Sequence, residues 1–145
     1  MTVELWDDVA PKHVENFLKL GSTGFYNNLI FHRIIPGFVA QCGGPSCDGT
    51  GGPGYEFADE LPQPGEYQIG SLAMANSGPD TNGSQFFIIT GDNGAALPAQ
   101  YSLFGMVTEG LDTTVPALDA VGNPDNNGVP PLEPVTIESI TITES

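Results

Sequence analysis

Short apolar runs that end at glycine or proline are the feature that most constrains the fold of this chain. The sequence holds 19 glycines and 13 prolines among 145 residues, and its β-branched and aromatic residues lie in brief runs between them. This pattern is typical of many short strands joined by turns. A chain of this length ordinarily forms one domain with a core that needs no disulfide or metal. We therefore expect a single, mainly β domain over residues 1–145.

Strands and two helices are predicted in alternation along the chain. Pro11 suits the first position of a helix that stops near Gly21, and a second, shorter helix is predicted over residues 111–121, where Pro116 would shorten or kink it. The buried face of the first helix is predicted to carry Val14, Phe17 and Leu18. Strands are predicted at residues 3–5, 29–35, 38–42, 70–75, 85–90 and 103–107. This order favours a closed antiparallel barrel with helices at its ends.

The last segment, PVTIESITITE at residues 134–144, changes its alternation phase. Val135 and Ile137 have one parity, whereas Ile140 and Ile142 have the other. A flat strand cannot bury both pairs on one side, so we expect a β-bulge at residues 138–139.

The charge balance excludes two classes of partner. The net charge of −15 arises from 18 acidic residues and only three basic ones, Lys12, Lys19 and Arg33. No basic patch can form, so binding to nucleic acid or anionic lipid is not predicted. No apolar run is long enough to insert into a membrane. The shortage of basic residues fits either adaptation to high salt or solubility and export, and composition leaves both open.

The first residues, MTVELWDD, carry neither a basic patch nor an apolar stretch, which predicts no signal peptide. The sequence does not decide whether the chain is part of a longer precursor, and for that reason it does not decide the compartment. The sequence leaves the location unknown: it would be cytoplasmic, or extracytoplasmic if a signal or anchor lies upstream.

Several common sites find little support in the sequence. Cys42 and Cys47 are too few for zinc, so no metal is predicted, and they form either one small loop disulfide or two idle thiols. Pairing of Cys42 with His32 as a nucleophile is disfavoured, because His32 lies in an apolar run typical of a packed core. The GTGGPG at residues 49–54 has the spelling of a nucleotide loop but no helix follows it, so no cofactor is predicted.

The segment FHRIIPGFVAQCGG, residues 31–44, contains the only arginine, Arg33. An arginine among apolar strand residues is costly unless it is paired or used. Taken alone, Arg33 is most simply interpreted as a surface residue paired with a carboxylate. A second segment, SLAMANSGPDTNGSQFFIITG at residues 71–91, changes this interpretation. Alternation there sends Gln85 and Phe87 to one face and Phe86 to the other. An arginine near amides and phenylalanines suits an apolar, uncharged ring with backbone groups to hold, such as proline in a peptide.

The segments FHRIIPGF, GTGGPGYEFADE, SLAMANSGPDTNGSQFFI and YSLFGMV span nearly the whole chain in this order, and with them the chain resembles the cyclophilin family. The resemblance implies a closed eight-stranded antiparallel β-barrel capped by two α-helices, with a proline groove on the outer face of the barrel. It also implies a cofactor-free peptidyl-prolyl cis/trans isomerase that assists protein folding. The alternative is a module that binds proline peptides with little turnover.

The resemblance also assigns roles to individual residues. Catalysis falls to Arg33 and Gln41. Substrate binding falls to Phe38, Val39, Ala75, Asn76, Gln85, Phe87, Leu97 and Tyr101. Implied partners are proline-containing peptides and unfolded or folded client proteins, with the chain acting as a monomer.

Three positions depart from the family pattern. Val39 replaces a methionine, Ala96 replaces a tryptophan, and Tyr101 replaces a histidine. Tyrosine keeps a ring and a hydrogen-bonding tip, so activity should survive. The missing tryptophan predicts weakened cyclosporin binding. Family members usually carry several residues before the first strand, so this strand is expected to be truncated, which would weaken barrel closure.

Overall fold

The structure, a computed structural model, describes residues 1–144. The strands are β1 Thr2–Leu5, β2 Arg33–Ile35, β3 Val39–Cys42, β4 Ser71–Met74, β5 Phe86–Ile89 and β6 Leu103–Glu109. The helices are α1 Pro11–Ser22, α2 Asp92–Ala95 and α3 Thr114–Ala120, and a 3-10 turn spans Asn126–Gly128.

The six strands form one antiparallel sheet in the order β1-β6-β4-β5-β3-β2. The two edges are therefore β1, near the start of the chain, and β2, which carries Arg33. Strand β1 pairs with β6, and its register shifts between Thr2 and Val3.

The expected closed barrel of eight strands is wrong for residues 1–144, because the sheet has six strands and does not close. The C-terminal segment meets the chain before β2 through one isolated bridge, between Ile30 and Thr136. Hydrogen bonds from Asn28 N to Ile137 O and from Ile137 N to Leu29 O accompany it. Pro134, which has no N–H, lies at one end of this contact, and Asn28, with a positive φ of 65°, lies at the other.

The helices differ in part from the prediction. Helix α1 begins at Pro11 as expected and buries Val14 and Phe17. Helix α3 is shorter than predicted, and Pro116 lies in its first turn, where a missing N–H costs little. The four-residue helix α2 was not predicted, so the described chain has three helices instead of two. None of them is long and apolar enough to cross a bilayer.

The two faces of the sheet bury separate apolar clusters. Helix α1 covers one face, where Phe17 and Tyr26 pack with Phe86 and Phe104 at ring-centroid distances of 5.1 to 5.5 Å. The opposite face buries a smaller cluster that includes Phe87. We call the side of the sheet that carries this smaller cluster the groove face. The predicted opposition of Phe86 and Phe87 is confirmed.

The C-terminal segment confirms the change of phase but not the bulge. Val135, Ile137 and Ile140 all pack against the main core, while residues 138 and 139 are both exposed. The phase therefore resets at the predicted place for Ile140, whereas Ile142, which was expected to be buried with it, is exposed. The reset occurs in an irregular segment, so no strand pair exists to carry a bulge.

Candidate active site

The register of the sheet brings the chemistry of distant segments into one row. Arg33 on β2 lies opposite Gln41 on β3, and Gln41 lies opposite Phe87 on β5. Phe87 in turn lies opposite Ala73 on β4, which pairs with Leu103 on β6. Side chains directly across a ladder share a face. The row therefore begins with a cation and an amide and continues with apolar side chains along the groove face.

The tight turn between β2 and β3 sets the place of Phe38. Pro36 and Gly37 occupy its centre, with Gly37 at a φ of 73°, and Phe38 N donates to Ile35 O at 3.1 Å. Helix α2 lies against this turn so closely that a Cβ on Gly94 would sit 2.4 Å from Phe38 O. Only glycine allows that approach, so Gly94 helps to fix Phe38 at the edge of the groove.

Arg33 is held by amide oxygens. Its Nη1 donates to Gln41 Oε1 at 3.1 Å, its Nε donates to Asn127 O at 3.1 Å, and its Nη2 donates to Asn127 Oδ1 at 3.0 Å. A guanidinium has five N–H donors. These contacts use three of them and leave two for a ligand.

No carboxylate of residues 1–144 neutralises this arginine. Within residues 1–144 the only contact closer than 4.0 Å between a basic and an acidic side chain joins His13 and Glu60, so the interpretation of Arg33 as a surface residue paired with a carboxylate is wrong. Burial lowers the pKa of Arg33 from its usual value. The guanidinium nevertheless stays protonated at neutral pH, because its ordinary pKa lies so far above 7. The site therefore presents an unneutralised positive charge beside apolar side chains.

A chain of amides extends from Arg33 along the sheet. Gln41 Nε2 donates to Gln85 Oε1 at 3.2 Å, and Gln85 Nε2 donates to Gly49 O at 2.8 Å. Each amide therefore donates to the next acceptor and leaves Gln41 Oε1 free to accept from Arg33. This chain fixes the amide orientation of Gln41.

A groove of about 170 Å³ gathers most of the predicted site residues. Its lining consists of Arg33, Phe38, Val39, Gln41, Ala75, Asn76, Phe87, Leu97 and Tyr101. Gln85 does not reach this groove. It lines an adjoining cavity of about 350 Å³ and bears on the groove through Gln41.

The far wall of the groove is aromatic. The Tyr101 ring meets Phe87 edge to face at 5.4 Å. Tyr67 fixes this wall from behind, because its hydroxyl donates to Tyr101 O at 2.6 Å and accepts from Tyr101 N at 3.2 Å. Burial raises the pKa of Tyr67, so the hydroxyl stays protonated and able to donate.

The rim of the groove offers free backbone groups at Asn76. Its side chain is fully engaged, donating to Gln100 O at 2.9 Å and accepting from Gly78 N at 3.1 Å. Its backbone N–H and C=O form no hydrogen bond within residues 1–144. They are available to pair with an extended peptide.

Asn127 and Tyr67 contribute to the site but were missed from the sequence. Asn127 lies in the run NPDNNG at residues 123–128, where adjacent asparagines and a glycine are typical of left-handed turns. That signal predicts a turn but does not predict that the turn contacts Arg33. Tyr67 has no distinctive context at all.

The geometry does not support a cysteine nucleophile. Cys42 and Cys47 are both free thiols, and burial raises the pKa of Cys42 to about 12, far from that of a reactive thiolate. His32 is buried, and burial lowers its pKa. None of these three residues lines the groove.

Comparison with known proteins identifies the family. The family model described as cyclophilin type peptidyl-prolyl cis-trans isomerase/CLD matches residues 1–142. This chain belongs to the cyclophilin family. Peptidyl-prolyl cis-trans isomerase B of Bacillus subtilis is 48% identical over 75% of this chain and 76% of its own length. The probable peptidyl-prolyl cis-trans isomerase B of Mycobacterium leprae is 43% identical over 92% of this chain, which spans only 50% of that relative.

A solved structure has the same cyclophilin fold. A crystal structure of a cyclophilin-type isomerase of Cryptosporidium parvum matches with a TM-score of 0.85 and 36% identity, covering 99% of this chain and 90% of that one. A second structure of the Cryptosporidium parvum protein, in the presence of the dipeptide Ala-Pro, matches with the same TM-score.

Proposed function

We propose that this chain catalyses rotation about X–Pro peptide bonds, with Arg33 as the central catalytic group. The observation that carries the proposal is the Arg33 guanidinium, held by neutral amide oxygens and facing an apolar groove with two donors unused. Family membership supports the same activity.

The barrier to this rotation comes from amide resonance and amounts to about 18–20 kcal/mol. In the transition state the amide is twisted, and the prolyl nitrogen regains a lone pair that can accept a hydrogen bond. Arg33 donates to that nitrogen. The planar amide of the ground state has no such lone pair, so this contact lowers the barrier more than it strengthens binding. No bond breaks, so no nucleophile or proton acceptor is required.

The other groove residues hold the peptide while one side turns. Phe38, Phe87, Leu97 and Tyr101 enclose the proline ring, and Val39 and Ala75 complete the lining. The free backbone groups of Asn76 pair with the peptide chain. Gln41 holds Arg33, and Gln85 orients Gln41. Because one side of the bond is fixed in this way, only the other side has to turn about it.

The energies indicate that Arg33 alone is not sufficient. A 10⁵-fold acceleration corresponds to about 7 kcal/mol, whereas one hydrogen bond from a charged donor supplies about 1.5–3 kcal/mol. The desolvated groove must supply the remainder, because the twisted amide is less polar than the planar one.

A peptide isomerisation assay on Arg33→Ala tests the proposal. We expect kcat/KM to fall about a hundredfold, because the variant loses the one donor to the prolyl nitrogen. Lys12→Ala is the matched control, since it removes the same charge from α1, on the opposite side of the sheet from the groove. It should retain wild-type turnover.

Folded Arg33→Ala protein with wild-type turnover would refute the assignment. The competing function is a module that binds proline peptides with little turnover. Saturable binding by the wild-type chain without isomer exchange would establish that module instead.

Partners follow from the same groove. We propose that proline-containing peptides and the proline segments of unfolded or folded clients bind it, that residues 1–145 act as one monomeric domain, and that cyclosporin binds weakly. The Ala-Pro dipeptide named with the Cryptosporidium parvum structure supports the ligand class.

A further inference from the structure

Asn127 makes more hydrogen bonds to the Arg33 side chain than any other residue within the described chain. Its backbone oxygen accepts from Arg33 Nε, and its side-chain oxygen accepts from Nη2. The two contacts lie along one edge of the guanidinium. Gln41 accepts from Nη1. Together these contacts fix both the position and the plane of the guanidinium.

The backbone around Asn127 is shaped for this contact. Asn126, Asn127 and Gly128 all have positive φ values, of 52°, 56° and 79°. Asparagine and glycine tolerate this region better than other residues. In this left-handed turn the side-chain and backbone oxygens of Asn127 both accept from the same guanidinium.

The same turn is fastened to the strand that carries Arg33. A Cβ on Gly128 would sit 2.7 Å from Ile35 Cγ1 and 2.8 Å from Ile34 O, so the turn packs directly on β2. Asn123 N also donates to Ile34 O at 2.9 Å. The turn that holds the Arg33 guanidinium is therefore fixed to β2, the strand that carries Arg33.

The chemistry of the residue is as informative as its position. The chain carries 18 acidic residues, yet both oxygens that Asn127 offers to its only arginine are neutral. A carboxylate here would bind the guanidinium more strongly but would neutralise the charge that faces the groove. A neutral acceptor fixes the group and preserves its charge.

We propose that Asn127 is a positioning residue for the isomerisation: it fixes the plane of the Arg33 guanidinium through neutral oxygens and leaves its charge available to the prolyl nitrogen. The inference rests on the proposed catalytic role of Arg33. It adds the loop after α3 to a site otherwise built from the sheet and from the segments that join its strands between β2 and β6.

Two substitutions separate the two parts of this role. Asn127→Gly keeps the left-handed backbone and its carbonyl but removes the side-chain acceptor. Asn127→Asp keeps the shape and an acceptor but adds a negative charge. Asn126→Gly is the matched control, because it changes the adjacent left-handed asparagine, whose side chain bonds to Val129 O and not to Arg33.

Kinetics give the first measurement. At saturating proline peptide we expect the isomerisation rate of Asn127→Gly and of Asn127→Asp to fall about tenfold each, with less than about twofold change in peptide affinity. Asn126→Gly should match the wild type. An Asn127→Gly rate equal to that of Asn126→Gly would overturn the positioning role, and a wild-type rate for Asn127→Asp would overturn the requirement for a neutral acceptor.

NMR of the arginine side chain gives a readout that a general loss of stability would not move. Because the chain has one arginine, its guanidinium signals need no assignment. In the wild type, restricted rotation should give separate Nη1 and Nη2 signals. In Asn127→Gly they should average, while in Asn126→Gly they should stay separate. Separate signals in Asn127→Gly would contradict the proposal.

A double mutant distinguishes failure of this inference from failure of the proposed function. In an Arg33→Ala background, Asn127→Gly should cause no further loss, since it acts through Arg33. A further tenfold loss there would show that Asn127 acts by another route. Full activity of Arg33→Ala alone would instead refute the role of Arg33, on which the inference rests.

Discussion

At the scale of single residues, the apolar wall of the groove rests on Leu97, Tyr101 and Phe87. By the family resemblance Tyr101 takes the place of a histidine, and its ring packs edge to face on Phe87. Ala96 stands where many members have a tryptophan, and its side chain is exposed next to Leu97. The wall is therefore complete for a proline ring but short at the end where a larger ligand would extend.

Ala96→Trp tests this account of the wall. The added indole should provide an aromatic contact worth about 1–2 kcal/mol, so cyclosporin should bind about tenfold more tightly by titration calorimetry. Ala99→Trp is the matched control: neither alanine lines the groove in this chain, but only position 96 matches the tryptophan of the family pattern. Equal affinities for the two variants would show that position 96 is not part of the wall.

At the scale of elements, the loop before β4 is attached to the start of α1 through Glu60. Its carboxylate accepts from His13 Nδ1 at 2.6 Å, from His13 N at 2.9 Å and from Lys12 N at 3.3 Å. Burial alone would raise the pKa of Glu60, but these hydrogen bonds hold it below its usual value. Glu60 thus caps the helix that covers the main core.

Stability should depend on pH through this carboxylate. A depressed pKa contributes stability that is present above the unfolded pKa of about 4.3 and is lost as pH falls through the folded value. We expect Glu60→Gln to lower the free energy of unfolding by about 1 kcal/mol at pH 7, measured by urea denaturation. The difference from wild type should shrink below about pH 4. A constant difference from pH 7 to pH 3 would contradict this role of the charge.

At the scale of the whole molecule, the charge distribution sets the field around the groove. The net charge is −15, and the two lysines both lie on α1, across the sheet from the groove. Arg33 is therefore a local positive point on a negative body. Long-range attraction should favour peptides with basic residues flanking the proline.

Salt dependence tests this selectivity. The Debye length falls from about 30 Å at 0.01 M salt to about 3 Å at 1 M. We expect kcat/KM for a lysine-flanked proline peptide to exceed that for a glutamate-flanked one about tenfold at low salt. The ratio should approach one at high salt, with an alanine-flanked peptide between them. If the ratio of the two kcat/KM values did not change with salt concentration, the selectivity would arise from local contacts and not from the long-range electrostatic field.

How much of the structure could be predicted from the sequence depends on how far apart the contacting residues lie along the chain. Strand alternation was enough to separate Phe86 from Phe87, and helix-start signals placed Pro11 at the first position of α1. The site residues followed from the likeness to the family. All but Gln85 of those assigned to catalysis or binding line one groove. Their individual roles stay predictions.

Two features could not be predicted from the sequence: whether the sheet closes into a barrel, and which residues support the side chains that line the groove. Whether residues 134–144 pair as a full strand depends on the register they adopt against residues 28–31, where Asn28 has a positive φ. Asn127 lies 94 positions from Arg33, and nothing local announces that contact. The relation between such positions is set by packing of the whole chain.

The most direct test of the central claim is to measure binding and turnover on the same Arg33→Ala samples. NMR exchange of a proline peptide at saturation gives the isomerisation rate, and titration gives the affinity. The account predicts that affinity changes less than about threefold while the exchange rate falls about a hundredfold, because Arg33 acts on the twisted amide. An exchange rate that stays at the wild-type value, or that falls only as far as affinity does, would contradict it.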